Sequence, residues 1–251
     1  YLIIFRSAFY RPGWLCFQGF IWAMLLSGSR KCVTRIACLC FHTERSLASW
    51  ERFLAEQRWD MTLVMAKLAE LLRQKIGAAL IYKGRYIMGL DTTYAAKAKG
   101  RMTGVQKWSE HSANPGRGET VTGHHWAIGG LLSFIGERWR CFPIWTRLIS
   151  GRKNPSHFTV SAEGDVHPMT FWESVLALVF QASGMLTGCP LCVVADAYFA
   201  KACFFNPLTE NAITLITRLR YDAVGWDDPE EYKGRGRPPK RGKKWKLADL
   251  W

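Results

Sequence analysis

Acidic residues are scarce in this chain: 20 Asp and Glu stand against 34 Lys and Arg, a formal net charge of +14. That imbalance favours an anionic partner, without choosing among ribosomal, membrane-surface and nucleic-acid roles. Long apolar runs are missing too. None reaches the roughly 20 residues a bilayer-spanning helix needs. The most apolar stretch, Trp14 to Leu26, is short and bracketed by Arg11 and Arg30, so it reads as a buried helix and a membrane role is disfavoured. No second Cys-x-x-Cys pair accompanies Cys189-Pro190-Leu191-Cys192, which therefore reads as packing and not as half a zinc site. Cys32, Cys38 and Cys40, with His42 nearby, complete no zinc signature either. The eight cysteines form no tight framework and no secretory signal is legible, so the expectation is reduced thiols in a cytosolic protein. Disorder of the whole chain is excluded by a composition that is 49% hydrophobic.

What is present divides into three stretches. Residues 1–78 carry helical patterns. Ser46 can cap a helix with Leu47, Trp50, Phe53 and Leu54 on one side. A second helix sets Leu63, Leu68, Leu71, Leu72 and Ile76 mostly on one face, with Lys67, Glu70 and Arg73 outward. Ahead of both, a short helix between Gly28 and Cys40 carries Arg30, Lys31 and Arg35, an arrangement compatible with a DNA-binding module and equally with an ordinary bundle.

From residue 79 to 226 the period changes. Ala79–Tyr82, Tyr86–Thr92, His124–Phe134 and Trp139–Ile149 read as strands, the last two joined by Gly136-Glu137 as a hairpin. Pro143 marks an edge or bulged strand. The stretches 97–122 and 151–169 read as polar connections. Thr170 and Glu173 stand in capping-box spacing and open a helix ending near Gly184. A strand at Leu191–Ala195, a short helix near Ala200–Phe205 and a strand at Ala212–Leu219 come next. This order predicts a mixed α/β sheet, with the helix-linked strands parallel. Residues 227–251 are a basic linker or the start of an insertion or C-terminal part. There Lys233, Arg235, Arg237, Lys240, Arg241, Lys243, Lys244 and Lys246 place eight cations in fourteen residues. Interspersed Gly and Pro are expected to keep this tract out of regular structure. Its Gly-Arg-Gly-Arg-Pro-Pro run favours contact with duplex DNA, where each phosphate contact adds salt-dependent affinity.

Two carboxylates stand out. Asp91 closes Tyr86–Leu90, and Asp196 closes Leu191–Ala195. A carboxylate at the end of a buried strand is costly unless it meets a metal, a donor or a substrate. Brought together by neighbouring strands, the two would form a hard oxygen site for Mg²⁺ or Mn²⁺, suited beside a phosphodiester to phosphoryl transfer. The plain alternative is that each Asp caps a strand or starts the next helix. Lys97, Lys99 and Arg101 come after the first Asp and either contact phosphate or form an exposed loop.

Taken in order, several segments resemble the DDE transposases of bacterial insertion sequences, in the broad IS4-like and IS701-like group with an RNase H-like catalytic core. Gly28-Ser29-Arg30-Lys31 before Val33-Thr34-Arg35-Ile36, and Phe41-His42 leading to Trp50 and Arg52-Phe53-Leu54, look like the helical amino-terminal region. Gly89-Leu90-Asp91-Thr92-Thr93 looks like the segment with the first catalytic Asp. Gly123-His124-His125-Trp126 resembles the second core strand, and Val193–Phe199 the segment with the second Asp. The resemblance implies an RNase H-like mixed sheet with flanking helices behind an all-helical region. It further implies Asp91 and Asp196 as catalytic metal ligands, Mg²⁺ (or Mn²⁺) as cofactor, and double-stranded DNA as partner. A homodimer in the synaptic complex and a cytoplasmic, nucleoid-associated bacterial location are expected with it.

The family's third carboxylate, a Glu on a helix after the last core strand, has no counterpart between Leu219 and Trp251, where Glu230 and Glu231 sit beside Pro229 in a charged loop. It is expected beyond residue 251, since Tyr1 and Trp251 both look like cuts through a longer protein. The rival expectations are a non-transposing RNase H-like nuclease and a catalytically inactive DNA-binding or regulatory relic.

Overall fold

The computed structural model describes residues 1–28, 33–39, 45–56, 58–97, 102–109, 120–150, 155, 157–160, 164–220, 222–231, 234 and 239–246. After a 3-10 turn at Leu2–Ala8 come four helices: α1 (Arg11–Leu26), α2 (Val33–Leu39), α3 (Leu47–Glu56) and α4 (Met61–Ile76). Pro12 sits in the first turn of α1, where its missing N–H costs no helical bond. Ser46 Oγ accepts from the Ser49 amide at 3.3 Å, and Asp60 caps α4 through the Leu63 amide at 3.1 Å. Phe5, Phe9, Trp14, Trp50 and Phe53 bury themselves in one largely aromatic cluster. α4 has two apolar sides. Leu63 and Leu71 pack on that aromatic cluster, Leu72 and Ile76 on the core of the sheet, and Leu68 on both. It thereby ties the helical part to the sheet.

A second 3-10 turn, Gly77–Leu80, delivers the chain to β1 (Ile81–Tyr82), β2 (Arg85–Ala96), β3 (Gln106–Ser109), β4 (Thr120–Ile135) and β5 (Arg138–Ile149). The small hairpin β6 (Phe158–Val160) and β7 (Val166–Pro168) precedes α5 (Phe171–Met185). Then come β8 (Leu191–Ala195), a 3-10 turn Ala197–Phe199, α6 (Ala202–Glu210), β9 (Thr214–Thr217), β10 (Val224–Trp226) and β11 (Lys244–Lys246). The sheet runs β5-β4-β2-β8-β9, with β4 antiparallel to β2 and β5, and β8 and β9 parallel to β2. β3 lies against the start of β4, and β1 against the start of β2. This is the RNase H-like mixed sheet flanked by helices, behind an all-helical region.

Local chemistry accounts for the main joints. Gly136 and Glu137 both take positive φ (59° and 62°), the backbone a tight two-residue hairpin demands. Pro143 falls on β5, which among the described residues pairs only with β4, and the register slips opposite it between Gly129 and Gly130. The Thr170–Glu173 capping box is closed in both directions, at 2.6 and 3.3 Å.

Four details depart from expectation. β2 does not end near Asp91. It continues through Thr92, Thr93 and Tyr94, β-formers that pair with the long β4. The stretch 97–122 contains β3, and 151–169 contains β6 and β7. In the basic tract, Lys244–Lys246 is a strand antiparallel to Val224–Trp226.

Candidate active site

Pleating gives each strand of the sheet two unlike faces. Met88 and Leu90 of β2, Ala127 and Leu131 of β4, and Val193 of β8 are buried beneath α4, α5 and α6, in one core with Leu178, Val179, Phe204 and Leu208. The alternate positions open on the other side into a trough of about 480 Å³. Its lining includes Gly89, Asp91, Thr93, Gly130, Cys141 and Asp196. Register explains the meeting of the aspartates. β2 and β8 run parallel with Leu90 opposite Ala195, so one further residue sets Asp91 beside Asp196. Neighbouring strands are about 4.8 Å apart.

Burial is not what makes this pair notable. Both aspartates are exposed, so the cost of hiding a carboxylate does not apply to them. Each has one oxygen committed to backbone. Asp91 Oδ1 accepts from the Thr92 amide at 2.7 Å, and Asp196 Oδ1 caps the 3-10 turn through the Tyr198 amide at 3.0 Å. The capping role anticipated for such an Asp is therefore real at Asp196, and it leaves the second oxygen toward solvent. Thr217 of β9 donates its hydroxyl to the Asp196 carbonyl at 2.6 Å, fixing the chain where it leaves β8. Among the described residues, no third His, Cys, Asp or Glu joins the two to make a metal cluster. Two adjacent carboxylates fit a hard divalent cation in donor type and supply part of its coordination.

Where the first turn of α5 meets the sheet lies an aromatic cluster that the sequence pattern did not announce. Tyr198 stacks on Trp172 at 5.5 Å, and Phe171 links this pair to His125 at 5.6 Å. His125 in turn stacks on Tyr94 at 4.3 Å and meets the edge of Trp108 at 4.8 Å. Burial lowers the His125 pKa to about 4, so the ring is neutral at pH 7. Among the described residues, neither of its nitrogens has a hydrogen-bond partner. These residues lie far apart in sequence, and only the register Tyr94↔His125 and the docking of α5 assemble them.

The predicted cations are dispersed. Arg35 is exposed on α2, and Lys97 comes directly after β2 with its amide bonded to the Thr122 carbonyl. Arg30, Lys31, Lys99, Arg101, Lys233, Arg235 and Arg237 lie outside the described residues. Lys240, Arg241, Lys243, Lys244 and Lys246 are exposed in or beside the β10–β11 ribbon. There Arg241 and Lys244 lie over the Trp226 ring at 5.1 and 5.6 Å, and Lys243 over Trp245 at 4.0 Å. Cation–π attraction and a two-stranded ladder give this tract a shape that composition alone does not suggest. Cys192 is buried and Cys189 packs against the core of the sheet.

The sequence is assigned to a family by its match to that family's model. Residues 8–250 match the family model described as DDE superfamily endonuclease, and the chain belongs to that family. No curated protein matches it. Among solved structures, it is similar to the piggyBac transposase in a synaptic complex with hairpin DNA, at 13% identity and a TM-score of 0.39, over 92% of this chain and 46% of that one. It is also similar to the Mos1 transposase in a paired-end complex with the left transposon end, at 13% identity and a TM-score of 0.26, over 82% of this chain and 58% of that one. The chain thus spans about half the length of the solved chains it matches. No helix among the described residues is long and apolar enough to cross a membrane.

Proposed function

We propose that this chain is the core of an insertion-sequence DNA transposase of the IS4-like or IS701-like kind, cutting element ends and joining them to target DNA. In this reading residues 1–78 bind DNA, 79–226 form the catalytic core, and 227–251 begin a basic linker or insertion. The observation that supports it best is the parallel register that sets Asp196 beside Asp91 at an open trough, in a member of the DDE endonuclease family. Asp91 and Asp196 would hold Mg²⁺ or Mn²⁺. When bound, such ions activate water or a DNA 3′-hydroxyl and stabilise the leaving oxygen. The chain's own part is to hold two carboxylates on rigid strands, keep the Asp196 turn in place through Thr217, and offer a floor of Gly89 and Gly130 low enough for a sugar–phosphate backbone to approach. The ribbon cations and Arg35 add sequence-independent affinity for duplex DNA. Function in the bacterial nucleoid and as a homodimer at paired ends belongs to the same reading.

One observation favours the relic as a second reading: no third carboxylate joins the pair among the described residues. The experiment incubates the chain with duplexes carrying terminal inverted repeats, random duplex and Mg²⁺ or Mn²⁺. End-specific cleavage and then joining supports transposition. Cleavage without end dependence or joining indicates a non-transposing nuclease. Specific, metal-independent binding without cleavage by the full-length protein indicates the relic.

A further inference from the structure

Away from the trough, the helical region contains a cavity of about 170 Å³ between the start of α1 and the length of α3. Tyr10 and Ser49 line it together with three guanidiniums, those of Arg45, Arg52 and Arg58, and one carboxylate, Glu56. The way Glu56 spends its oxygens is informative. It takes Arg58 by Nε at 2.8 Å and Arg52 by Nε at 3.7 Å. Both terminal Nη pairs are left over, and these are the planar forks that engage phosphate or carboxylate two bonds at a time. The Arg52 and Arg58 side chains are 70% and 69% exposed, so a ligand reaches them without rearrangement. Arg45, half-buried, lines the same cavity and makes no ion pair among the described residues. The first turn of α1 faces the same cavity, with no acidic residue in it and no side chain capping it, so its dipole adds to the positive potential.

We infer that this arginine cavity is a phosphate pocket that grips the backbone of duplex DNA, with Glu56 competing for two of its guanidiniums. The inference rests on the DNA-processing reading and gives it a contact point in the helical region built from residues other than the sequence-predicted cations. Three guanidiniums around one carboxylate leave a net positive concavity of phosphate size, and the +14 chain carries its second described basic surface on the β10–β11 ribbon. A duplex held at both would be gripped by phosphate contacts alone, without base readout.

The test measures binding of a random-sequence duplex to the full chain without divalent metal, across a salt series. Arg45→Gln with Arg58→Gln should weaken binding about tenfold or more at low salt and flatten the slope of log K against log salt by about two. Glu56→Gln should act in the opposite sense, tightening binding, because it removes the competing carboxylate. A third arm replaces Arg241, Lys243 and Lys244 by Ala. If that arm flattens the slope while the arginine pair does not, the pocket inference fails and the DNA reading stands. If the wild-type chain does not bind duplex at all, the DNA reading fails and takes the pocket with it. Should the double variant fold poorly by circular dichroism, Glu56→Gln alone decides, since unchanged or weakened binding in that variant contradicts the inference.

Discussion

On the helix-covered face of the sheet, Met88, Leu131 and Val193 are fully buried and close-packed; on the other, one residue along the same strands, Gly89, Gly130 and Val194 line an open trough with Asp91. The pleat alone separates the two. The strands therefore carry stability on one side and, in the proposed reading, chemistry on the other, and substitutions should divide the same way. Covered-face changes should alter folding with little effect on metal binding. Open-face changes should do the reverse. The glycines mark the border sharply. A side chain at Gly129 would collide with Met88 and press on Leu178 beneath the helices, whereas Gly130, its neighbour, turns toward Cys141 on the trough side.

The largest expected effect tests the open face. Asp91→Asn and Asp196→Asn should each lower metal-dependent DNA cleavage or joining by about 10³-fold, about 4 kcal/mol of barrier, and weaken Mn²⁺ binding. Stability should move by less than about 0.5 kcal/mol, since both side chains are exposed and Asn still accepts the capping bond. A large fall in the urea midpoint would show that the aspartates belong to the scaffold. The converse test is Leu178→Ala under α5. Leu178 is fully buried, so the cavity left should cost roughly 2–5 kcal/mol by urea unfolding, with Mn²⁺ affinity of the folded fraction unchanged.

His125 extends the comparison to pH. Its folded pKa of about 4 lies below its ordinary 6.5 because burial penalises the charged ring. Above pH 6.5 both folded and unfolded chains carry it neutral, and it adds no pH dependence. As pH falls from 6.5 toward 4 the unfolded chain takes up the proton first, so stability should drop by about 1.4 kcal/mol per pH unit, about 3 kcal/mol in all. His125→Phe keeps the stack with Tyr94 and Phe171 and should flatten that part of the acid limb. An unchanged limb in this variant would assign the acid sensitivity to other groups.

How far the sequence foretold this division depends on where each element gets its stability. β4, β5, α5 and β8 carry their own apolar pattern and caps, and their strand or helix identity was legible from Thr170, Glu173, Gly136 and Pro143. β3, β6 and β7 have no such pattern. β3 exists because the edge of β4 offers backbone partners, with Trp108 Nε1 donating to the Gly123 carbonyl at 3.0 Å. The ribbon β10–β11 was hidden behind Gly and Pro. Gly242 lets its backbone close on Asp227, its amide donating to the Asp227 carbonyl at 2.9 Å. For the site, sequence marked both aspartates but misjudged their setting. It predicted buried strand ends, whereas Asp91 lies inside a long strand and both are exposed. The arginines at 45, 52 and 58 were passed over because residues spread along a helix and its flanks declare no shared cavity until α1 packs against them.

The smallest effect concerns a residue at the edge of the sheet, where the two faces meet. Thr217 does not itself line the trough; its hydroxyl holds the Asp196 carbonyl from the neighbouring strand at 2.6 Å. Thr217→Val keeps the shape and the β-branch but deletes the donor. The net loss in stability should be about 1 kcal/mol, the ordinary worth of one hydrogen bond partly open to water. If strand register alone positions Asp196, nothing further changes. If the bond sets the turn after β8, then the Asp196 carboxylate gains freedom relative to Asp91, and Mn²⁺ affinity falls severalfold while duplex binding stays constant. Thr217→Ser, which restores the donor without the methyl, should recover metal affinity though not all of the stability. Recovery of stability without metal affinity would mean that Thr217 is part of the scaffold only, and that the covered and open faces are less separable at this edge of the sheet than at its centre.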